Sequence, residues 1–231
     1  MRHVRTMPPF APPLAPAPAS QPTRRRVLET ALAVPLAGLA AACSLPVPGQ
    51  GPPPELYRLT PKSTFAKDLP NVDWQLVLQE PLANAAIDTT RIALMRRPTQ
   101  IEYYARSNWS DRAPAMVQTL MIESFENSDR IVAVGRDAVG LRADYVLKSE
   151  LREFQVEYFD GVVQAHVEIT GRLVQMPRRS IIGTKSFEAV IPATAESLDS
   201  IIGAFDEALG KVLRRLVEWT LHTGTKARRT A

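Results

Sequence analysis

Two long runs, Tyr145 to Tyr158 and Val162 to Gln175, are joined by Phe159-Asp160-Gly161, and no other feature restricts the fold as much. Asp-Gly supplies the positive-φ residues that a tight connection between antiparallel strands requires. In the second run Val163, Ala165, Val167, Ile169, Gly171 and Leu173 point one way, and Gln164, His166, Glu168, Thr170 and Arg172 the other. Period-two alternation of this kind marks an antiparallel strand with one buried face. An apolar face of that length needs a cover, and the chain provides one. Leu198, Ile201, Ile202, Phe205, Ala208, Leu209, Val212, Leu213, Leu216 and Val217 recur at three and four residues, with Asp199, Asp206, Glu207, Lys211 and Arg215 on the opposite side. This is an amphipathic helix, with Thr194 or Ser197 placed to cap it. Its polar face mixes both charges, which favours covering a sheet over lying on a membrane surface.

The remaining elements are shorter. Trp74 to Leu78 reads as a strand entering Gln79-Glu80-Pro81, and Arg91 to Met95 and Gln100 to Tyr104 form a strand pair around Arg96-Arg97-Pro98. A helix follows: Ser110 or Asp111 is placed to accept from its first amides, Pro114 suits its first turn, and Val117, Leu120, Met121, Ser124 and Phe125 form an inward stripe. Met116 and Met121 fit core filling. Ile131 to Val134 is a strand, and Arg178-Arg179 open a turn before Ile181 to Ile191, the third strand of a meander. The expected fold is mixed α/β: a largely antiparallel sheet covered by two main helices, one of them C-terminal, over residues 56–222. Lys226-Ala227-Arg228-Arg229 lies in residues 223–231, expected to be a basic solvated tail.

The N-terminal stretch has another character. Residues 8–22 hold seven prolines among Ala and Ser, a composition that cannot repay the entropy of packing. Arg24-Arg25-Arg26 then precede the apolar run Ala31 to Ala42 and Cys43, the order of a secretory leader. The run is too short for a spanning helix, which needs about 20 apolar residues, and Pro35 interrupts it. Thr23-Arg24-Arg25-Arg26-Val27-Leu28-Glu29 resembles the twin-arginine export signal, in which Arg24 and Arg25 are the paired arginines; Val27 and Glu29 depart from the pattern, and the general secretory route stays open. Leu39-Ala40-Ala41-Ala42 before Cys43 resembles a lipobox, with the leucine one place early. That resemblance implies diacylglycerol on Cys43, and cleavage to a soluble form with a free cysteine is the alternative. Residues 1–43 are therefore assigned to a disordered extension plus lipoprotein signal peptide. Residues 44–55, rich in Pro and Gly, form a tether rising about 3.1 Å per residue. Ser44, a residue other than aspartate after the cysteine, implies sorting to the outer membrane, with the lipid in its inner leaflet and the body facing the periplasm.

Charge and chemistry narrow the function. The pI is near 9.4, but residues 1–43 hold five arginines against the single acid Glu29. Beyond residue 43 there remain 23 basic and 23 acidic residues, which argues against a nucleic-acid partner. The single cysteine allows neither an internal disulfide nor a cysteine-based metal cluster. No nucleophile elbow or His-Glu-x-x-His zinc helix is present. Gly183-Thr184-Lys185-Ser186 lacks the spacing of a phosphate loop and reads as strand. His166 falls on a polar strand face and is expected to be solvated, as are carboxylate pairs such as Glu150 with Glu153. The sequence therefore assigns no catalytic residue, metal ligand or cofactor.

Together, Tyr57-Arg58-Leu59 after the tether, Tyr103-Tyr104-Ala105-Arg106 leading to Trp109 and Pro114, Ala143-Asp144-Tyr145 with Leu147, Glu150 and Phe154, then Phe187 and Trp219 resemble the ABC-type transport auxiliary lipoprotein family, the PqiC/YmbA-like proteins. The similarity spans Leu56 to Leu221, and the segment between Pro61 and Trp74 is its least characteristic part. It implies a non-enzymatic partner of an MCE-domain protein and, through it, of an ABC permease and ATPase that move phospholipid or other apolar molecules between membranes. Direct phospholipid binding and homo-oligomer formation stay open. The alternative role is an outer-membrane lipoprotein that activates or pilots an envelope assembly machine.

Overall fold

The computed structural model describes residues 53–137 and 142–230. Its spine is the expected hairpin, β7 (Tyr145–Phe159) and β8 (Val162–Gln175), paired from Phe159 opposite Val162 to Tyr145 opposite Gln175. Asp160 and Gly161 close it at φ 52° and 75°. A bulge between Leu151 and Glu153 shifts the alternation by one residue. Leu147 and Leu151 before it, and Phe154 and Val156 after it, are thereby all buried, where an unbroken strand would have turned half of them outward. The third meander strand, β9 (Ser180–Pro192), runs antiparallel along β8.

The other edge of β7 is shared by three parallel strands in succession. β2 (Val72–Leu78) lies beside Tyr145–Leu147, β3 (Leu82–Ala83) beside Glu150–Leu151, and β4 (Arg91–Arg97) beside Gln155–Glu157. Beyond β2 lies β6 (Ile131–Arg136), parallel to it. β5 (Gln100–Trp109) is antiparallel on β4, and β1 (Glu55–Tyr57) is parallel on β5. These make one nine-stranded sheet. Its longest ladders are antiparallel, so the mixed α/β expectation holds, with a parallel flank that the alternation pattern did not announce.

Two helices complete the fold, α1 (Ala113–Glu126) and α2 (Leu198–Thr230). The expected inward stripe of α1 is buried in full, with Met116 and Met121 in the core. Its start differs from the expectation. Arg112 takes the cap position without a side-chain cap bond; Asp111 accepts from the Arg112 amide at 2.7 Å, and the Ser110 amide donates to the Tyr57 carbonyl at 2.8 Å. Both candidate caps thus precede the cap position, and neither side chain bonds an amide of the first turn. At α2, Ser197 Oγ accepts from the Ser200 amide at 3.4 Å, the bond expected of a cap residue.

The apolar stripe of α2 lies across β8 and β9. At its centre Trp109, Phe154 and Phe205 meet with ring centroids 5.1–5.3 Å apart, all three buried. Truncating one such ring to alanine costs about 3–5 kcal/mol. The helix does not stop at residue 222 but continues through Thr230, so residues 223–230 are helical, with a solvated outer side. Three contacts fasten this last part: Gly224 lies against the Trp74 ring, Tyr145 Oη donates to the Gly224 carbonyl at 3.1 Å, and Arg228 pairs with Asp73 at 2.9 Å. The buried pattern of large apolar residues ends at Leu221, and a glycine contact leaves no hydrophobic signature in sequence.

The glycines of α2 give a stability test. A Cβ on Gly224 would lie 2.7 Å from Trp74 Cζ2, whereas one on Gly203 meets nothing within 4 Å. Gly224→Ala should lower stability by about 1–3 kcal/mol through overpacking. Gly203→Ala should raise it by about 0.5–1 kcal/mol, because alanine loses less freedom in a helix. Paired denaturant melts of the two variants check the opposite signs.

Candidate functional site

The densest polar cluster lies on the sheet face turned away from the helices. With Phe154 and Val156 inward, Gln155 and Glu157 of β7 point outward, beside Gln164 and His166 of β8 and Glu188 of β9. The Glu157 carboxylate meets His166 Nδ1 at 2.7 Å and accepts from Gln164 Nε2 at 3.0 Å and Gln155 Nε2 at 3.3 Å. His166 Nε2 lies 2.9 Å from Glu188 Oε1, and Gln155 Nε2 also donates to Glu153 Oε2 at 2.6 Å. The His166 side chain is only 15% exposed. It is therefore not the solvated residue expected from the alternation: neighbouring long polar side chains enclose it.

Carboxylates facing both ring nitrogens suit an imidazolium, which donates from each. Burial works against protonation of His166, but the bond and charge of Glu157, then Glu188 and Glu153, outweigh it and raise the pKa above the ordinary imidazole value. Burial likewise pushes Glu157 up, and the bonds from His166, Gln164 and Gln155 together with the imidazolium charge bring it below the usual carboxylate range. Chemically, the cluster stores a proton and ties β7, β8 and β9 together.

Smaller constellations fix the surroundings. Tyr104 and Tyr158 share a hydroxyl hydrogen bond of 2.7 Å, and the Arg96 guanidinium lies over the Tyr158 ring at 4.4 Å. Burial first, then the Tyr158 bond, pushes the Tyr104 hydroxyl pKa far up. Arg112 joins Asp88 to Glu80, at 3.1 Å from the latter, clasping the β2–β3 and β3–β4 connections to the start of α1. Thr60 binds Asp206 through its amide at 2.6 Å and its hydroxyl at 2.8 Å, fastening the chain after β1 to α2. A hollow of about 610 Å³ opens between Asp68 and Pro70 and the last turns of α2, at His222, Thr225, Lys226, Arg229 and Thr230. Among the described residues no group of three or more His, Cys, Asp or Glu side chains is arranged to hold a metal, and no helix is long and apolar enough to cross a membrane.

The residues singled out from sequence are placed as follows. Cys43, Arg24 and Arg25 lie outside the described residues. Gly183 to Ser186 are strand, within β9, and Ser186 shares a 2.6 Å hydroxyl bond with Thr170. Glu150 does not act with Glu153: it faces Arg152 at 3.6 Å and Arg172 at 3.4 Å, while Glu153 bonds Gln155. The cluster around His166 was missed. A partial signal existed, because the Asp-Gly hairpin fixes a register that brings His166 opposite Gln155 and diagonal to Glu157. Glu188 could be added only from the β8–β9 register, which the turn at Arg178-Arg179 does not reveal.

Comparison with known proteins gives three findings. A family model described as ABC-type transport auxiliary lipoprotein component matches residues 57–217. Protein XCC0632 of Xanthomonas campestris, of family DUF330, has a crystal structure that superposes with a TM-score of 0.72 at 28% identity, covering 75% of this chain and 98% of that one. An uncharacterized protein of Bradyrhizobium diazoefficiens, bll6063, is 29% identical over 151 residues, 63% of this chain; the match spans only 39% of that relative's length.

The cluster generates a pH prediction. A histidine whose folded pKa is raised stabilises fully below its unfolded value of about 6.5 and loses that contribution as pH climbs through the higher folded value. Glu157, lowered on folding, contributes above the ordinary carboxylate value and loses it as pH falls through the folded one. The midpoint of thermal unfolding should therefore fall from pH 6 to pH 9 more steeply in the wild-type protein than in His166→Gln. Parallel slopes for the two would contradict the assigned charge state.

Proposed function

The chain belongs to the family of ABC-type transport auxiliary lipoprotein components, and from that premise we propose that it is a lipid-anchored, non-enzymatic helper of an ABC-type intermembrane lipid transport system. The observation that carries the reading is the extent of the match: residues 57–217 begin just past the Pro/Gly-rich segment, take in β2 through β9 and α1, and run into α2. In this reading twin-arginine or general secretory export, with Arg24 and Arg25 in the basic segment, delivers the chain. Diacylglycerol and a further acyl chain on Cys43 hold it in the inner leaflet of the outer membrane. At about 0.8 kcal/mol per buried methylene, two or three acyl chains anchor firmly where one is marginal.

The tether, residues 44–55, then lifts the body into the periplasm, where it meets the MCE-domain protein of the transporter. Hydrolysis of ATP and passage of phospholipid belong to that partner and to the permease and ATPase behind it. The body contributes a rigid surface. Its net-neutral charge beyond residue 43 and its tightly filled core accord with a docking component.

Metabolic labelling with palmitate and membrane fractionation test the anchor. Wild type should carry label and sediment with the outer membrane, and Cys43→Ala should lose the label and become soluble. Pull-down of the wild-type protein from mild detergent extract should recover the MCE-domain protein. An unlabelled wild-type chain, or one confined to the cytosol, would sink the proposal.

A further inference from the structure

The two carboxylates that flank His166 are held very differently. Glu157, on the spine strand β7, is 11% exposed; it faces Nδ1 at 2.7 Å and also accepts from Gln164 and Gln155. Glu188 is 57% exposed and faces Nε2 at 2.9 Å, and among the described residues its carboxylate has no other partner. It belongs to β9, an edge strand bonded to β8 alone. The other charges on this face are accounted for. Glu153 accepts from Gln155, and Arg152 faces Glu150 at 3.6 Å and Glu168 at 3.8 Å. Val190 stands opposite His166 and Met95 opposite Glu157, both without charge, and α2 covers the other side of β8 and β9.

An imidazolium donates from both nitrogens and satisfies both carboxylates at once. A neutral ring has one proton, so its second nitrogen presents a lone pair to a carboxylate oxygen that has nothing to donate. One of the two contacts must then break. Breaking the Glu157 contact would leave a largely enclosed carboxylate against a lone pair, and a buried charge without its partner is costly. Breaking the Glu188 contact costs little, because an exposed ion pair holds weakly and water replaces the ring. The hydrogen bond to Glu157 thus decides which nitrogen keeps the proton: Nδ1.

We propose that Glu157, His166 and Glu188 form a proton-operated latch on the edge strand: loss of one proton leaves the ring held by Glu157 through Nδ1 and turns the Glu188 carboxylate out into water. Below the transition, side chains fasten β9 to the spine across β8. Above it that fastening is gone, and the outer row of β9 presents a free carboxylate. The strand itself stays in place, since its ladder with β8 and the packing of Phe187 against Trp219, at 5.6 Å between ring centroids, do not depend on the proton. Burial disfavours the charged ring, and Glu157, Glu188 and Glu153 more than offset it, which sets the transition above the ordinary imidazole range. The latch is independent of the transport reading given above.

The test is a nuclear magnetic resonance titration of the isotope-labelled full chain in detergent, from about pH 5 to about pH 9, following ring nitrogens and side-chain carboxyl carbons. His166→Gln identifies the ring by the loss of its signals. Both nitrogens should carry protons at the acid end, and above the transition Nδ1 should keep its proton while Nε2 loses one. The Glu188 carboxyl signal should move with the His166 midpoint in wild type and lose that step in His166→Gln. Glu157→Gln should lower the midpoint by about one pH unit or more, the ordinary effect of removing a close opposite charge. Glu188→Gln should lower it by less and leave the proton on Nδ1. A wild-type ring that keeps its proton on Nε2 overturns the latch, as does a ring neutral across the whole range or a Glu188 signal indifferent to the His166 midpoint. The wild-type tautomer decides the matter if Glu157→Gln fails to fold.

Discussion

Burial of the α2 stripe against the inner face of β8 and β9 is the constraint on which the rest of the structure depends. Trp109 from β5, Phe154 from β7 and Phe205 from α2 meet in one aromatic cluster, so the outer strand, the spine and the helix are fixed by the same contact. Aromatic pairs at such separations add about 0.5–1.5 kcal/mol beyond area burial. The bulge in β7 exists in service of this packing, since without it Phe154 would turn to the other face.

The opposite face is organised by charge. Glu157, His166 and Glu188 form a line across three strands, and Gln155 and Gln164 occupy the remaining acceptor positions on Glu157. A buried carboxylate is tolerated there because its oxygens are satisfied and a cation adjoins it. The cluster resembles an acid–base pair in composition, but its geometry is that of a clasp: both ring nitrogens are engaged by side chains of the same sheet.

Much of the fold was legible because it is written in periodicities. The Asp-Gly hairpin, the alternation from Val163 to Leu173 and the helical recurrence from Leu198 to Val217 each follow from a single repeat, and each is found where the sequence puts it. The parallel flank was not legible, because β2, β3 and β4 are short and the residues that select their neighbour lie far off on β7. The start of α1 and the end of α2 were misplaced for a related reason. Arg112 and Gly224 owe their roles to the Asp88–Glu80 pair and to Trp74, which are tertiary contacts and not local signals. The cluster at His166 was half visible through its register; Cys43, Arg24 and Arg25 rest on the order of the leader alone.

The succession of β2, β3 and β4 along a single edge of β7 makes the two sides of the sheet unequal in what they can tolerate over evolutionary time. A residue gained or lost between those strands slides one short segment along the spine and can be absorbed in the connections at 79–81 and 84–90, without disturbing the register of β7 with β8. The same change inside the hairpin would turn every inward side chain outward. Lineages descended from a common ancestor should therefore drift in length and wording through the first half of the body while the second half stays nearly fixed. The weakly marked stretch between Pro61 and Trp74 is where such drift would be seen first.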